Sequence, residues 1–404
     1  MLLAALLGAG SLAGCSLIPG SASAGSASPT QTVPTPEPAN PLPAPAPKSR
    51  ATSSSTASAS AGPLEGWSLE EKVGQLIMVG VDAASPAKAS TDAVTSHHVG
   101  NIFIAGRSTA GKQETQKVIS SFTGKVDSTT THDTPMLVAT DQEGGDVQVM
   151  SGSGFSDIPS AMDQSTQPRE QLLASARTWG KELADVGATM NLAPVLDLVD
   201  VATPSTNEPI GRWGREYGRD AATVTAQAGA FAEGMKASGI IPVYKHFPGL
   251  GRVTANTDTA SGVTDTTTAR SGDAAVGIFA SAISSGAQVI MVSSATYSLI
   301  DPAAPAVFSS VVVTDMLRTE MGFTGMVITD DVSAAAQVKD VPAGERAVRA
   351  IRAGCDMVLA SADPTLAADM AKALVSTAQS DPAFAARVDE SVTRVLALKN
   401  SNQS

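Results

Sequence analysis

The sequence predicts one closed (β/α)8 barrel of the TIM type, preceded by a signal peptide and a disordered linker rich in Ser, Ala, Pro and Thr. Three observations lead there. Eight short apolar segments recur from residue 73 onward, each followed by a polar or Gly-containing turn. Helix-length stretches separate most of them, and strands buried on both faces that alternate with helices indicate a parallel sheet. Composition removes the first part of the 404-residue chain from the folded count, and the roughly 335 residues that remain suit one large α/β domain. An open doubly wound sheet is the alternative arrangement of the same elements.

The chain opens on "LLAALLGAGSLAG", an apolar run too short to span a bilayer that ends in small residues, as the cleavage region of an exported chain does. Residues 1–14 are therefore expected to be a signal peptide, although its usual basic start is missing; a chance apolar N-terminus is the alternative. Residues 15–65 carry almost no large apolar side chains. Such a segment cannot bury enough surface to offset the entropy of ordering it, so a flexible linker is expected, extended where it is Pro-rich. The barrel domain is expected over residues 66–400.

Within it the candidate strands are "VGQLIMVGV" (73–81), "VGNIFIAG" (99–106), "PMLVATD" (135–141), "TMNLAPVLDL" (189–198), "IIPVYKHF" (240–247), "AQVIMVSSA" (287–295), "GMVITDD" (325–331) and "CDMVLASA" (355–362). Between them "QLLASARTWGKELADVG", "ATVTAQAGAFAEGMKASG" and "ERAVRAIRAG" combine apolar positions at helical spacing with a terminal Gly. The formal charge of −12 belongs to the folded part, and no basic stripe offsets it. A surface of that sign repels nucleic acid and anionic headgroups. Of the two cysteines, Cys355 lies in an apolar strand context and is expected to be a buried thiol.

A barrel carries its chemistry at the C-terminal strand ends, which here bring Asp141, Asp197, Lys245 with His246, and Asp330 with Asp331. Burying such groups unpaired is costly, so they should bond one another or face a polar ligand. Asp330 could attack the anomeric carbon of a sugar as a nucleophile, or it could cap the next helix; "DD" supplies one residue for each task. Lys245 and His246 could donate to ligand hydroxyls or pair with Asp141 and Asp197, and a regular strand would send them to opposite faces. Arg215 could offer its planar fork to a ligand or lie on the surface. Asp141, heading "DQEGGDV", could accept from two sugar hydroxyls or belong to a plain polar turn. His97, His98 and His132 lack zinc spacing and are expected to be exposed.

Taken in order, "SLEEKVGQLIMVG", "DQEGG", "IPSAM", "NLAPVLDL", "GREYG", "KHFPGLG", "VITDDVS" and "AGCDMVL" resemble glycoside hydrolase family 3, in its bacterial β-N-acetylhexosaminidase branch. The resemblance spans roughly residues 66–400. It implies a retaining glycosidase that removes terminal β-linked N-acetylhexosamine from cell-wall-derived glycans. It implies Asp330 as nucleophile, Asp141, Arg215, Lys245 and His246 as the residues that hold the sugar, and no metal or organic cofactor. "LAGC" at residues 12–15 resembles a bacterial lipobox, implying lipid attachment at Cys15 and a place on the outer face of the cell membrane. The expected partners are thus a carbohydrate and the membrane, without nucleic acid, and a monomer is expected.

Two departures stand out. The branch normally places arginines at the positions of Asp146 and Val149. It also carries "HG" after "KHFPG", then an Asp-x-His pair whose histidine is the general acid and base; the loop here has Leu250 and reads Asp258, Thr259, Ala260. On that reading Asp258 is the remnant of the dyad and Ala260 replaces the proton donor. General acid catalysis contributes about 10²- to 10⁴-fold, or roughly 3 to 5 kcal/mol of barrier. Slow hydrolysis of natural glycosides with preserved cleavage of activated aryl ones is expected, and a catalytically silent sugar-binding protein is the alternative.

Overall fold

The eight apolar segments become the eight staves of a closed parallel barrel. A computed structural model describes residues 64–402; the expected signal peptide, Cys15 and nearly all of the linker lie outside the described residues. The staves are β1 (Ile77–Asp82), β2 (Asn101–Ala105), β3 (Leu137–Thr140), β4 (Met190–Asn191), β5 (Ile241–Phe247), β6 (Val289–Val292), β7 (Met326–Asp331) and β8 (Met357–Ala360). Each pairs with its sequence neighbour in parallel, and β8 closes on β1 in the register Ile77↔Val358. The open doubly wound alternative is thereby excluded.

The connections are the helices α1 (Lys88–His97), α2 (Gly111–Thr123), α3 (Arg169–Ala184), α4 (Ala221–Lys236), α5 (Ala274–Ser284), α6 (Val311–Glu320), α7 (Ala343–Ala353) and α8 (Ala367–Ser380), with α9 (Pro382–Ser401) after them. Their ends follow from sequence. Asp220 and Asp273 cap α4 and α5 by accepting backbone N–H groups, and Gly354 ends α7 at φ 120°, a conformation that costs glycine little. Helix α6 is wound in the wider π form. Among the described residues no helix is long and apolar enough to cross a membrane.

One stave differs from expectation. The segment 189–198 pairs as a strand only at Met190–Asn191. The chain then turns through a cis Ala193–Pro194 peptide, and only Val195 touches the β5 ladder again, opposite Lys245. Proline has no N–H to donate, so the ladder cannot run on through it. Asp197 consequently reaches the barrel mouth from a loop.

At the opposite end of β8 a buried carboxylate ties the last helix to the barrel. Asp356 accepts from Arg387 at 2.9 Å, Arg394 at 3.1 Å, Ser391 at 3.2 Å and the Val327 N–H at 2.9 Å, and Arg318 completes the set. Cys355 beside it is buried, as expected, and burial pushes its thiol up to about 12. Asp356→Ala should lower the unfolding free energy by about 3 kcal/mol, the low end for breaking a buried pair because the arginines keep some solvent contact. Urea denaturation checks this; a change below about 0.5 kcal/mol would show that the cluster does not brace the barrel.

Candidate active site

The C-terminal mouth of the barrel holds a cavity of about 430 Å³. Apolar side chains from barrel strands or their ends, Phe103, Leu192, Met291 and Leu359, line part of it, and Asp141, Arg215, Lys245, His246, Asp258, Asp330 and Asp331 line the rest. Every site residue expected from the folded part of the sequence therefore converges on one space.

Lys245 is nearly buried, at 3 % side-chain exposure, and donates to Asp141 and Glu143 at 2.6 Å each. Arg215 grips Glu143 through both arms of its fork, Nε to Oε2 at 2.9 Å and Nη2 to Oε1 at 2.7 Å. Burial alone would raise the Glu143 carboxyl, but Arg215 and Lys245 override it and hold the group down at about 2. Burial likewise works against the Lys245 charge, and Asp141 and Glu143 overcome it, leaving the ammonium raised. Glu143 is the residue that sequence reasoning missed. Its signal was present in "DQEGG": side chains two apart on an extended segment share a face, so Asp141 and Glu143 were placed to meet one cation together.

His246 follows through a cis peptide, and both side chains line the same cavity rather than opposite faces of the strand. Its Nδ1 lies 2.7 Å from Asp197 Oδ2, while Asp197 Oδ1 accepts the N–H groups of His246 at 3.1 Å and Leu250 at 2.7 Å. A carboxylate accepts, so Nδ1 carries a hydrogen and Nε2 is the ring atom available to a ligand. The pairings considered for Lys245 and His246 are both present, and they coexist with a place on the cavity.

The two aspartates ending β7 divide their tasks. Asp331 accepts from Ser333 Oγ at 2.7 Å, Ala334 N–H at 2.8 Å, Ser361 N–H at 2.8 Å and Ser361 Oγ at 2.9 Å, which fixes the turn and joins it to β8. Asp330 accepts from the Asp331 N–H at 2.9 Å and otherwise faces the cavity. Burial raises its carboxyl, while His246, the Asp331 N–H and Lys245 pull in the other direction.

In the loop after β5, Asn256, Thr257 and Asp258 line the cavity, and Ala260 does not; its side chain packs against the core. Of the outlying histidines, none is fully exposed: His98 Nδ1 meets the Thr130 carbonyl at 3.1 Å, and His132 stacks on Trp67 with ring centroids 4.4 Å apart. One ring is held by a carbonyl and the other by an aromatic face, contacts that spacing alone does not reveal. Among the described residues no three His, Cys, Asp or Glu side chains cluster as a metal site.

The model of the glycosyl hydrolase family 3 N-terminal domain matches residues 68–398. The chain belongs to glycoside hydrolase family 3. It is a glycosidase of that family, and its eight-stranded barrel is the matched domain. A β-N-acetylhexosaminidase from Beutenbergia cavernae is 54 % identical, with a TM-score of 0.81 over 82 % of this chain and 98 % of that one. A family 3 β-N-acetylglucosaminidase from Paenibacillus sp. is 29 % identical, with a TM-score of 0.75 over 83 % of this chain and 63 % of that one. The β-hexosaminidase LpqI of Mycobacterium tuberculosis is 31 % identical over 83 % of this chain and 84 % of its own length.

Removing the charge that balances Lys245 and Arg215 should be costly. Glu143→Ala is expected to destabilise the fold by about 3–5 kcal/mol, the usual cost of leaving a buried cation unpaired. Denaturant unfolding of the variant measures it, and stability equal to that of the unaltered protein would show that the cluster is solvated rather than buried.

Proposed function

We propose that the protein is a retaining exo-glycosidase that removes a terminal β-linked N-acetylhexosamine from cell-wall-derived glycans, with Asp330 as the nucleophile. The observation that carries this reading is the state of Asp330. Its carboxylate faces the cavity and, among the described residues, accepts a single hydrogen bond, from its neighbour's N–H, while Asp331 takes the structural bonds of the turn. A carboxylate so placed can bond to an anomeric carbon and later release it to water.

Asp141, Arg215, Lys245 and His246 hold the sugar. Asp141 keeps 28 % side-chain exposure beside Lys245, so one oxygen can accept from a hydroxyl while the other stays on the ammonium. His246 presents Nε2, and Lys245 and Arg215 supply positive potential over a neutral, hydroxyl-rich ligand. The preference for an N-acetylated ring is supported by the relatives named above, all described as acting on N-acetylhexosamine or hexosamine glycosides. No cofactor enters this chemistry. The lipobox-like "LAGC" supports export and anchoring through a lipid on Cys15, with residues 15–65 as the tether between membrane and barrel.

Hydrolysis of aryl N-acetylglucosaminide against aryl glucoside, in the unaltered protein and in Asp330→Asn, tests the catalytic reading. The acetamido sugar should be preferred, and the variant should lose at least about 10³-fold in kcat; equal rates on both sugars, or an active variant, would contradict it. For the anchor, the full-length protein produced in a lipoprotein-processing bacterium should partition into detergent, and Cys15→Ala should move it to the aqueous phase. Unchanged partitioning would refute lipid attachment at that position.

A further inference from the structure

The ionisable side chains that line the cavity are almost all committed. Lys245 and Arg215 hold Asp141 and Glu143, His246 is held by Asp197, and Asp331 is consumed by its turn. Asp330 and Asp258 are the exceptions. No hydrogen bond or ion pair to the Asp258 carboxyl group is present among the described residues, although the side chain lines the cavity.

The loop holds Asp258 there by several independent ties. Asn256 Oδ1 accepts the Asp258 N–H at 2.9 Å, and Asn256 O accepts the N–H groups of Thr259 and Ala260 at 3.1 and 2.9 Å. Residues 256–260 therefore close into a tight turn that presents Asp258 to the cavity and sends Ala260 to the core. Two bonds join this turn to the segment after β7: Ala336 N–H to Asp258 O at 3.1 Å and Gln337 N–H to Thr257 O at 3.0 Å. The Gln337 side chain also braces both backbone groups of Val263, at 2.8 and 3.1 Å. On the other side Arg252 bonds Asp200 at 2.9 and 2.7 Å and Asp273 at 2.9 and 2.8 Å, while Asn207 Nδ2 donates to the carbonyls of Leu250 and Val253 at 3.0 and 2.8 Å. The strand end that carries Asp330 and the loop that carries Asp258 thus belong to one hydrogen-bonded frame.

We propose that Asp258 is itself the general acid and base of the reaction, acting across the cavity from Asp330, with Asn256 as its positioning residue; this rests on Asp330 being the nucleophile. In the first step the Asp258 proton passes to the glycosidic oxygen as its bond to the anomeric carbon breaks. The bonding pair leaves with that oxygen, and an Asp330 oxygen forms the new bond to carbon. In the second step a water oxygen bonds to the anomeric carbon, the pair of the broken ester bond returns to Asp330, and Asp258 takes a proton from the water. Both carboxyl groups end as they began, and no histidine is required at position 260.

The surroundings suit the two roles. The depth of protein around Asp258, and after it the charges of Asp330 and Asp331, push its carboxyl up to about 6. His246, the Asp331 N–H and Lys245 favour the charged form of Asp330 against its burial; Arg215 and His246 favour that of Asp258, whose carboxyl group accepts no hydrogen bond among the described residues. The donor must be protonated, so kcat/KM should fall as pH rises through about 6.

The test is Asp258→Ala assayed on an unactivated N-acetylglucosaminyl disaccharide and on the 2,4-dinitrophenyl glycoside, with and without azide. The disaccharide should lose about 10²- to 10⁴-fold in kcat/KM, the range for a missing general acid. The dinitrophenyl glycoside, whose leaving group needs no proton, should keep most of its kcat/KM and lose the alkaline limb of its pH profile. Azide should accelerate its turnover and yield the β-glycosyl azide, because a small anion can occupy the emptied place and attack without a base. Equal losses on both substrates, a persisting alkaline limb, or no azide product would assign Asp258 a structural role and overturn the proposal while leaving Asp330 in place. No hydrolysis of either substrate by the unaltered protein would overturn both assignments. Asn256→Ala should show the same selective loss more weakly, without azide rescue.

Discussion

The buried ammonium of Lys245 is the constraint on which the site depends. An ion taken out of water into protein loses several kcal/mol of solvation, which Lys245 offsets chiefly through Asp141 and Glu143 at 2.6 Å each. Glu143 in turn fixes Arg215, so the loops after β3 and β4 are locked to the end of β5. Well-packed apolar side chains of similar volume often join such segments as well or better. Four charges retained beside a cavity are therefore explained by a ligand, one that offers hydroxyl groups to polar atoms already held in place.

The same logic runs through the next pair. Proline at position 194 interrupts the β4 ladder, and the released chain carries Asp197 to the His246 ring and to the N–H groups of His246 and Leu250. The turn after β5 is thus fixed where it leaves the barrel, and Arg252, Asn207 and Gln337 fix it again further out. The cations and their partners occupy one set of strand ends, and the aspartates of β7 and the β5 loop occupy the other. A sugar ring bound there would meet hydrogen-bond donors and acceptors from the first set, with the Asp330 and Asp258 carboxyl groups flanking the bond to be broken.

Most of this frame was legible in the residues themselves. Eight apolar segments buried on both faces could close only as a parallel barrel or open as a wound sheet, and charged strand ends marked the working face. The division between Asp330 and Asp331 was also readable, since a strand ending in two acids before a turn needs one of them for the turn. What local sequence could not give was pairing across the barrel. Glu143 meets Lys245 across 102 positions of chain and Arg215 across 72. The place of Lys245 and His246 on one cavity, and the anchoring of the Asp258 turn to Ala336 and Gln337, likewise involve contacts with distant segments. Propensity describes neighbours in sequence, and these are neighbours only in the folded chain.

The central claim is that the Asp330 carboxylate faces the anomeric carbon of a bound amino sugar and bonds to it. The most direct measurement is intact-protein and peptide mass spectrometry after exposure to a 5-fluoro N-acetylglucosaminyl fluoride, an activated sugar whose ester with the enzyme turns over slowly. One sugar per protein, released to a peptide that carries it on Asp330, is the expected result. A protein that binds the sugar yet gains no mass, or carries the label on another carboxylate, would contradict it.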